Sequence, residues 1–191
     1  TAIGVAFWIA VGVFDVSFGE NIEVPSIAII PFENKGNSDD DYYAYAIISD
    51  LISDITGSGL IRVASLNDIE KLNYKRINNN ELSEKLLVRY IAQGTLWKKD
   101  SIFQFSIELF DTETSDIVLN KRWEKDWNKL PIIKGELAEN IINALNVSSS
   151  KNFKHIMTNN TIAYDYYLKG KFSFISRNSF DDIKYAREML N

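Results

Sequence analysis

Residues 25–34, PSIAIIPFEN, form the stretch that decides the fold. Between Pro25 and Pro31 nearly every residue is apolar, a run too short for a helix and without the alternation of a half-exposed strand. Such runs are typical of strands that are covered on both faces, as in parallel or mixed sheets. We therefore predict a buried strand at 26–32, followed by a polar loop at 33–41 whose aspartates cap the next helix.

The downstream sequence alternates between helical and strand periodicity. Apolar residues recur every four positions in two long segments, which predicts amphipathic helices, and every two positions in a third, which predicts a three-stranded meander with one packed face. The predicted elements are helices at 41–56, 66–72, 81–88 and 130–145, a second short strand at 60–64 and the meander at 89–123. This order predicts an α+β fold, a mixed α/β sandwich built on one sheet.

The N-terminal residues 2–18 are apolar and carry one charge, at Asp15. About 20 apolar residues are needed to cross a bilayer, so we predict that 1–19 form a transmembrane helix that residues upstream of Thr1 complete. A buried core helix and the apolar region of a secretion signal are the alternatives. Because the chain begins with Thr1, we expect it to be a piece of a longer protein.

Charge and composition argue against several classes of function. The net charge is −5 and the basic residues are interspersed with acids, unlike the basic patches of nucleic-acid-binding proteins. The absence of cysteine excludes disulfides, thiolate metal sites and a cysteine nucleophile. The single histidine, His155, lies in a polar segment, so we expect neither a histidine-rich metal site nor a Ser-His-Asp triad.

The C-terminal part of the sequence predicts a linker followed by helices. Residues 148–160 are rich in Ser, Asn and Lys, which predicts a linker. Residues 161–191 predict two amphipathic helices joined near Arg177, with Gly170 and Ala186 as small residues where they cross. One helix pair cannot bury its own apolar face, so we expect this pair to begin a repeat array.

Six motifs in this order resemble the TolB N-terminal-like domain over residues 25–147. They are PSIAIIPFEN, YYAYAIISDLISDI, GLIRVAS, VRYIAQGTL, FSIELFDTETSDIV and NIINALNV. The segment AYDYYLKGKF resembles the start of a first tetratricopeptide repeat. The resemblance implies a sandwich of one mixed sheet with helices, followed by a tetratricopeptide-like hairpin. Such modules occur in membrane-bound class III adenylate and guanylate cyclases and in CadC-like winged-helix regulators.

The chain departs from that family at two informative places. It has Tyr45-Ala46 where the family commonly has Asp-Gly, and Thr114-Ser115-Asp116 where the family has a Thr-Gly-Glu hairpin turn. We expect the second change to alter the turn type, because serine resists positive φ.

Two groups of residues are candidates for chemistry. A candidate ligand or partner surface comprises Asp39, Asp40, Asp41, Tyr42, Tyr45, Tyr164 and Tyr167. The three aspartates could bind a divalent cation, but they lack the alternating ligands and glycine of an EF-hand, and capping of a helix by solvated carboxylates is favoured. Asp50 and Asp54 lie one helical turn apart, where an exposed helix face is favoured over a catalytic carboxylate pair.

These observations and the resemblance favour a non-enzymatic, membrane-tethered sensory or protein-interaction module of a larger bacterial signalling protein. The resemblance implies the bacterial inner membrane as its location, with the soluble part in the periplasm. We expect no catalytic residue, cofactor or metal, and we expect protein partners, a membrane contact through 2–18 and a homodimer. The alternatives are an exported periplasmic assembly or binding protein, and a hydrolase that uses Asp50 and Asp54.

Overall fold

The computed structural model describes residues 24–148 and 158–190, in which helices and strands are mixed along the chain. The strands are β1 (Ser26–Ile29), β2 (Glu33–Asn34), β3 (Arg62–Val63), β4 (Tyr90–Lys99), β5 (Ile102–Asp111) and β6 (Asp116–Asp126). The helices are α1 (Asp41–Thr56), α2 (Leu66–Lys71), α3 (Asn79–Leu86), α4 (Leu130–Ala144), α5 (Thr161–Ile175) and α6 (Phe180–Leu190). The predicted mixed α/β class is confirmed.

One mixed sheet organises the fold, with strand order β3-β1-β4-β5-β6. Strand β1 is parallel to both β3 and β4, and β4, β5 and β6 form an antiparallel meander. Ile27, Ala28 and Ile29 have no exposed surface. The predicted burial of this strand on both faces is therefore confirmed.

The two faces of the sheet carry cores of different size. On one face, α1 and α4 pack over alternate residues of β5, including Phe103 and Phe105. On the other face, α2 and α3 cover a smaller cluster around Ala28 and Ile91. The five remaining residues of β5 are half-buried, and the three in the middle, Gln104, Ser106 and Glu108, are polar, as the period of two predicts. The sheet therefore has a polar face over β5 and β6.

Two details of the segment before α1 correct the sequence-based expectation. Glu33 and Asn34 were expected in a loop, but they form β2 and pair with Thr95 and Leu96, because β4 extends beyond the end of β1 and offers a free edge. The aspartates were expected to cap α1. Instead, Asn37 accepts the cap hydrogen bond of a short 3-10 turn, and the Asp40 carboxylate accepts one from Lys98 Nζ at 3.0 Å.

Ser115 adopts a φ of +62° in the turn between β5 and β6. The backbone thus takes a left-handed conformation at this position although no glycine is present. Serine in this region costs free energy, which the long antiparallel pairing on both sides of the turn offsets.

The C-terminal helices form the predicted hairpin. A Cβ atom placed on Gly170 would lie 2.8 Å from Leu190 Cγ and 3.1 Å from the Ala186 carbonyl oxygen, so α5 and α6 cross at the small residues. Ser179 Oγ accepts a hydrogen bond from the Asp182 amide at 3.2 Å and caps α6. Whether this pair belongs to a tetratricopeptide array stays a prediction.

Two predictions fall mainly on residues that the structure does not describe. The proposed transmembrane helix at 1–19 lies outside the described residues, as does most of the linker at 148–160. Within residues 24–148 and 158–190, none of the helices has the length and apolar character needed to cross a bilayer.

Gly94 in β4 provides a test of sheet packing. A Cβ at this position would lie 2.2 Å from the Ser106 carbonyl oxygen and 2.8 Å from the Phe32 ring. We expect Gly94→Ala to lower the free energy of unfolding by about 3 kcal/mol, because strand and ring must both shift.

Gly59→Ala is the comparison. A Cβ there meets nothing within 4 Å and the cost arises from its φ of +71° alone, so we expect a loss of about 1 kcal/mol. Equal losses in urea unfolding would contradict this account.

Candidate functional site

Helices α1 and α5 meet at a buried carboxylate, that of Asp165 in α5. Its Oδ1 atom accepts hydrogen bonds from the hydroxyls of Tyr42, at 2.6 Å, and Tyr43, at 2.5 Å. Its Oδ2 atom accepts one from Lys169 Nζ at 2.8 Å, one turn along α5. Asp165 is 8% exposed. Lys169 balances its charge, and both of its oxygens accept hydrogen bonds within the junction.

The surroundings of Asp165 keep it ionised. Burial opposes the charged form, but hydrogen bonds from Lys169, Tyr42 and Tyr43 outweigh it and hold the pKa of the carboxyl below its ordinary value. Burial, together with the same carboxylate, raises the pKa of both tyrosines. The tyrosines therefore stay protonated and act as hydrogen-bond donors.

A second buried carboxylate, that of Asp50, holds α5 in the reverse arrangement, with the acceptor on α1 and the donors on α5. It accepts hydrogen bonds from the Tyr167 hydroxyl at 2.9 Å and from Lys171 Nζ, both on α5. Asp50 is 5% exposed, so the expectation of an exposed helix face is wrong at this residue, because α5 covers it. Asp54 pairs with Lys134 Nζ of α4 at 2.7 Å. Both carboxylates thus serve as helix contacts, an arrangement unlike a pair of catalytic acids across a cleft.

The three clustered aspartates, Asp39, Asp40 and Asp41, lie at the start of α1 and differ in their contacts. Asp40 pairs with Lys98, Asp41 Oδ1 accepts a hydrogen bond from Asn34 Nδ2 at 2.7 Å, and Asp39 lies in the exposed turn. Among the described residues, no group of three acidic or histidine side chains is placed to hold a metal ion.

The four candidate tyrosines divide between the interior and an open cleft. Tyr42 and Tyr164 are buried against the α1–α5 junction, and Tyr167 lies partly buried beside them. Tyr45 is half-buried, donates a hydrogen bond to Glu70 and packs edge to face on Phe172 of α5, with ring centroids 5.6 Å apart. Of the four, Tyr45 reaches the cleft.

That cleft has a volume of about 1310 Å³. It begins where β1 ends, at Pro31 and Phe32, and runs along the polar face of β4, β5 and β6. The segment between α2 and α3 forms a second wall, and Phe172 closes it toward α5. The sequence alone predicted only the polar face of β5. It did not predict the cleft, because the lining residues come from six separate helices and strands that only the fold brings together.

No protein-family model matches this chain. A protein of Rhizobium meliloti (strain 1021) named "Putative adenylate cyclase 3" is 23% identical to it over 172 residues. The alignment covers 87% of this chain and 29% of that protein. The chain therefore spans less than a third of the length of this relative.

Two solved structures resemble the fold in part. TolB from Acinetobacter baumannii is 20% identical, with a TM-score of 0.49 over 64% of this chain and 28% of that chain. Lipoprotein GNA1162 from Neisseria meningitidis is 9% identical, with a TM-score of 0.45 over 64% of this chain and 98% of that chain. At these identities the likeness concerns fold alone.

Removing the charge of Asp165 should weaken the junction. We expect Asp165→Asn to lower the free energy of unfolding by about 2–4 kcal/mol, because Lys169 loses its counter-charge and two buried hydroxyls lose a charged acceptor. Asp181→Asn, on the exposed side of α6, makes the same chemical change. It should alter the free energy of unfolding by less than about 0.5 kcal/mol. Urea unfolding followed by circular dichroism measures both, and similar values for the two variants would contradict the assignment.

Acid should destabilise the fold in a way that depends on the same carboxylate. The pKa values of Asp165 and Asp111 are lowered from the ordinary 3.8 in the folded chain, Asp111 by its hydrogen bonds from Arg89. The stability that they contribute is present above that value and is lost as the pH falls through the folded pKa. Urea midpoints measured from about pH 6 to about pH 2.5 should therefore fall below about pH 4. The fall should be shallower in Asp165→Asn, and an unchanged slope would count against this cause.

Proposed function

We propose that this chain is a non-enzymatic interaction and sensory module of a larger bacterial signalling protein whose output is a nucleotide cyclase. The observation that carries the proposal is the α1–α5 junction, where two buried carboxylates attach the helical hairpin to the α/β domain. The Rhizobium relative supports the cyclase context, since this chain aligns with 29% of a protein that bears a cyclase name.

The chemistry of the junction suits a contact that switches between two positions. Asp165 is matched by Lys169 and two tyrosine hydroxyls. Asp50 is matched by Lys171 and the Tyr167 hydroxyl at Oδ1, and its Oδ2 has no hydrogen-bond partner among the described residues. If α5 shifts, the same groups can be hydrated, whereas an apolar interface of equal size would expose surface that water does not solvate well. Such an element can respond to any ligand or partner that prefers one position.

We further propose that the helical hairpin offers the partner-binding surface. Phe180 is 80% exposed and Ile183 is 40% exposed, and both lie on α6. Exposed apolar residues on one helix support packing against a further helix of a tetratricopeptide array or against a protein partner. The membrane helix at 1–19 and the periplasmic location belong to the same proposal and rest on the apolar sequence of 2–18 and on the family resemblance.

The test uses both the 191-residue chain and the full-length protein that contains it. We expect no cyclic nucleotide production by the chain alone. In the full-length protein, Asp165→Asn should change cyclase activity by about fivefold or more, because it shifts the position of α5. Asp181→Asn should leave the activity unaltered at equal abundance.

Three results would contradict the proposal. Turnover by the 191-residue chain would make it an enzyme, and a full-length protein without cyclase activity would remove the proposed output. An activity that is insensitive to Asp165→Asn would separate the junction from signalling.

A further inference from the structure

We propose that the cleft at the end of β1 binds a small hydroxylated anion of the sugar-acid class. This inference deepens the proposed function, because it names the chemistry of a ligand for the sensory module. The proposal rests on the position of the cleft in the sheet, on the charges that line it and on the polar groups of its floor.

The position follows from the connections of the sheet. From β1 the chain passes through α1 to β3 on one side, whereas from β4 it turns to β5 on the other side. The neighbouring strands β1 and β4 are thus a point at which the connections diverge, with α1 on one face and α2 and α3 on the other. In open α/β sheets, ligands bind in the crevice outside the carboxyl ends of such strands. The cleft starts at this end of β1.

The lining charges leave two cations without a partner. Glu33 pairs with Lys35 at 2.6 Å, and Asp41 accepts its hydrogen bond from Asn34. Arg122, on the floor, and Lys75, on the segment between α2 and α3, also line the cleft, and the side chain of neither has an ion pair or a hydrogen bond within 24–148 or 158–190. Glu108 also lines the floor and has no ion pair within the described residues, so the anionic group must lie nearer to the two cations than to this carboxylate. A guanidinium is well suited to a carboxylate.

The floor of the cleft offers both donors and acceptors in ordered rows. Gln93, Glu108 and Asn120 lie side by side on three neighbouring strands. The hydrogen bond from Gln93 Nε2 to Glu108 Oε1 is long, at 3.5 Å. In the next row, Thr95 and Ser106 hydroxyls lie 2.7 Å apart beside Arg122. Ligand hydroxyls both donate and accept, so they can satisfy amide and carboxylate groups in the same row.

The end wall is apolar and connects the cleft to the junction. Tyr45, Tyr74 and Phe172 supply aromatic surface, which can pack on the C–H face of a sugar ring. Phe172 belongs to α5, whereas Tyr45 belongs to α1. A ligand seated here touches both sides of the α1–α5 contact, so its binding energy would depend on the position of α5.

The experiment is a titration of the whole isotopically labelled chain with D-glucuronate, followed by nuclear magnetic resonance. D-glucose, which lacks the carboxylate, and acetate, which lacks the hydroxyls, are titrated in parallel. We expect glucuronate to shift the amide signals of Thr95, Ser106 and Arg122 in a saturable way, and to bind at least tenfold more tightly than either comparison molecule.

Charge-removing variants test the two cations. Arg122→Gln and Lys75→Gln should each raise the dissociation constant of glucuronate about tenfold, the effect of one charge-assisted contact. Lys121→Gln is the matched control, because Lys121 precedes Arg122 on β6 and its Nζ bonds Asn140 on the other face of the sheet. The three side chains are exposed, so the fold should be retained.

The proposal would be overturned by an absence of saturable shifts on β4 to β6, by equal affinity for D-glucose or acetate, or by equal losses in Lys121→Gln and Arg122→Gln. These outcomes are independent of the proposed signalling role, because binding is measured without any output domain. Conversely, binding of glucuronate by a chain whose full-length protein has no cyclase activity would contradict only the proposed function.

Discussion

The attachment of the helical hairpin α5–α6 to the α/β domain depends on one constraint, the buried carboxylate of Asp165. It receives two tyrosine hydroxyls from α1 and the ammonium group of Lys169 from its own helix. Left alone in the interior, this charge would be costly, so α5 is held where the two tyrosine hydroxyls of α1 can reach it. Asp50 imposes the same condition in the opposite direction, from α1 to Tyr167 and Lys171 of α5. The two reciprocal contacts fix the orientation of α5 more specifically than apolar packing would.

The junction and the cleft are connected through one aromatic contact between α1 and α5. Tyr45 and Phe172 pack against each other at the end wall of the cleft, one turn of helix away from residues that contact the buried carboxylates. A molecule in the cleft and a displacement of α5 therefore act on the same aromatic contact. Coupling between two sites requires an element that both of them bias, and α5 is such an element.

Local patterns in the sequence predicted most of the elements, and long-range contacts decided what the sequence could not predict. The apolar run at β1, the four-residue period of α1 and α4 and the alternation in β5 are readable because they report nearest-neighbour geometry. The burial of Asp50 arises from residues 117 and 121 positions away, so it looked like part of an exposed face. Likewise, β2 exists only because the edge of β4 is free.

The central claim is that the α/β domain and α5 form one structural unit through the buried carboxylates. Native-state hydrogen exchange tests it directly, by comparing the amides in the middle of α5 with those of the buried strand β5. We predict that both sets open with similar free energies and lose protection together as denaturant is added. Exchange of the α5 amides through a separate opening, at a free energy several kcal/mol lower than that of β5, would show that the hairpin is only loosely attached and would contradict the account.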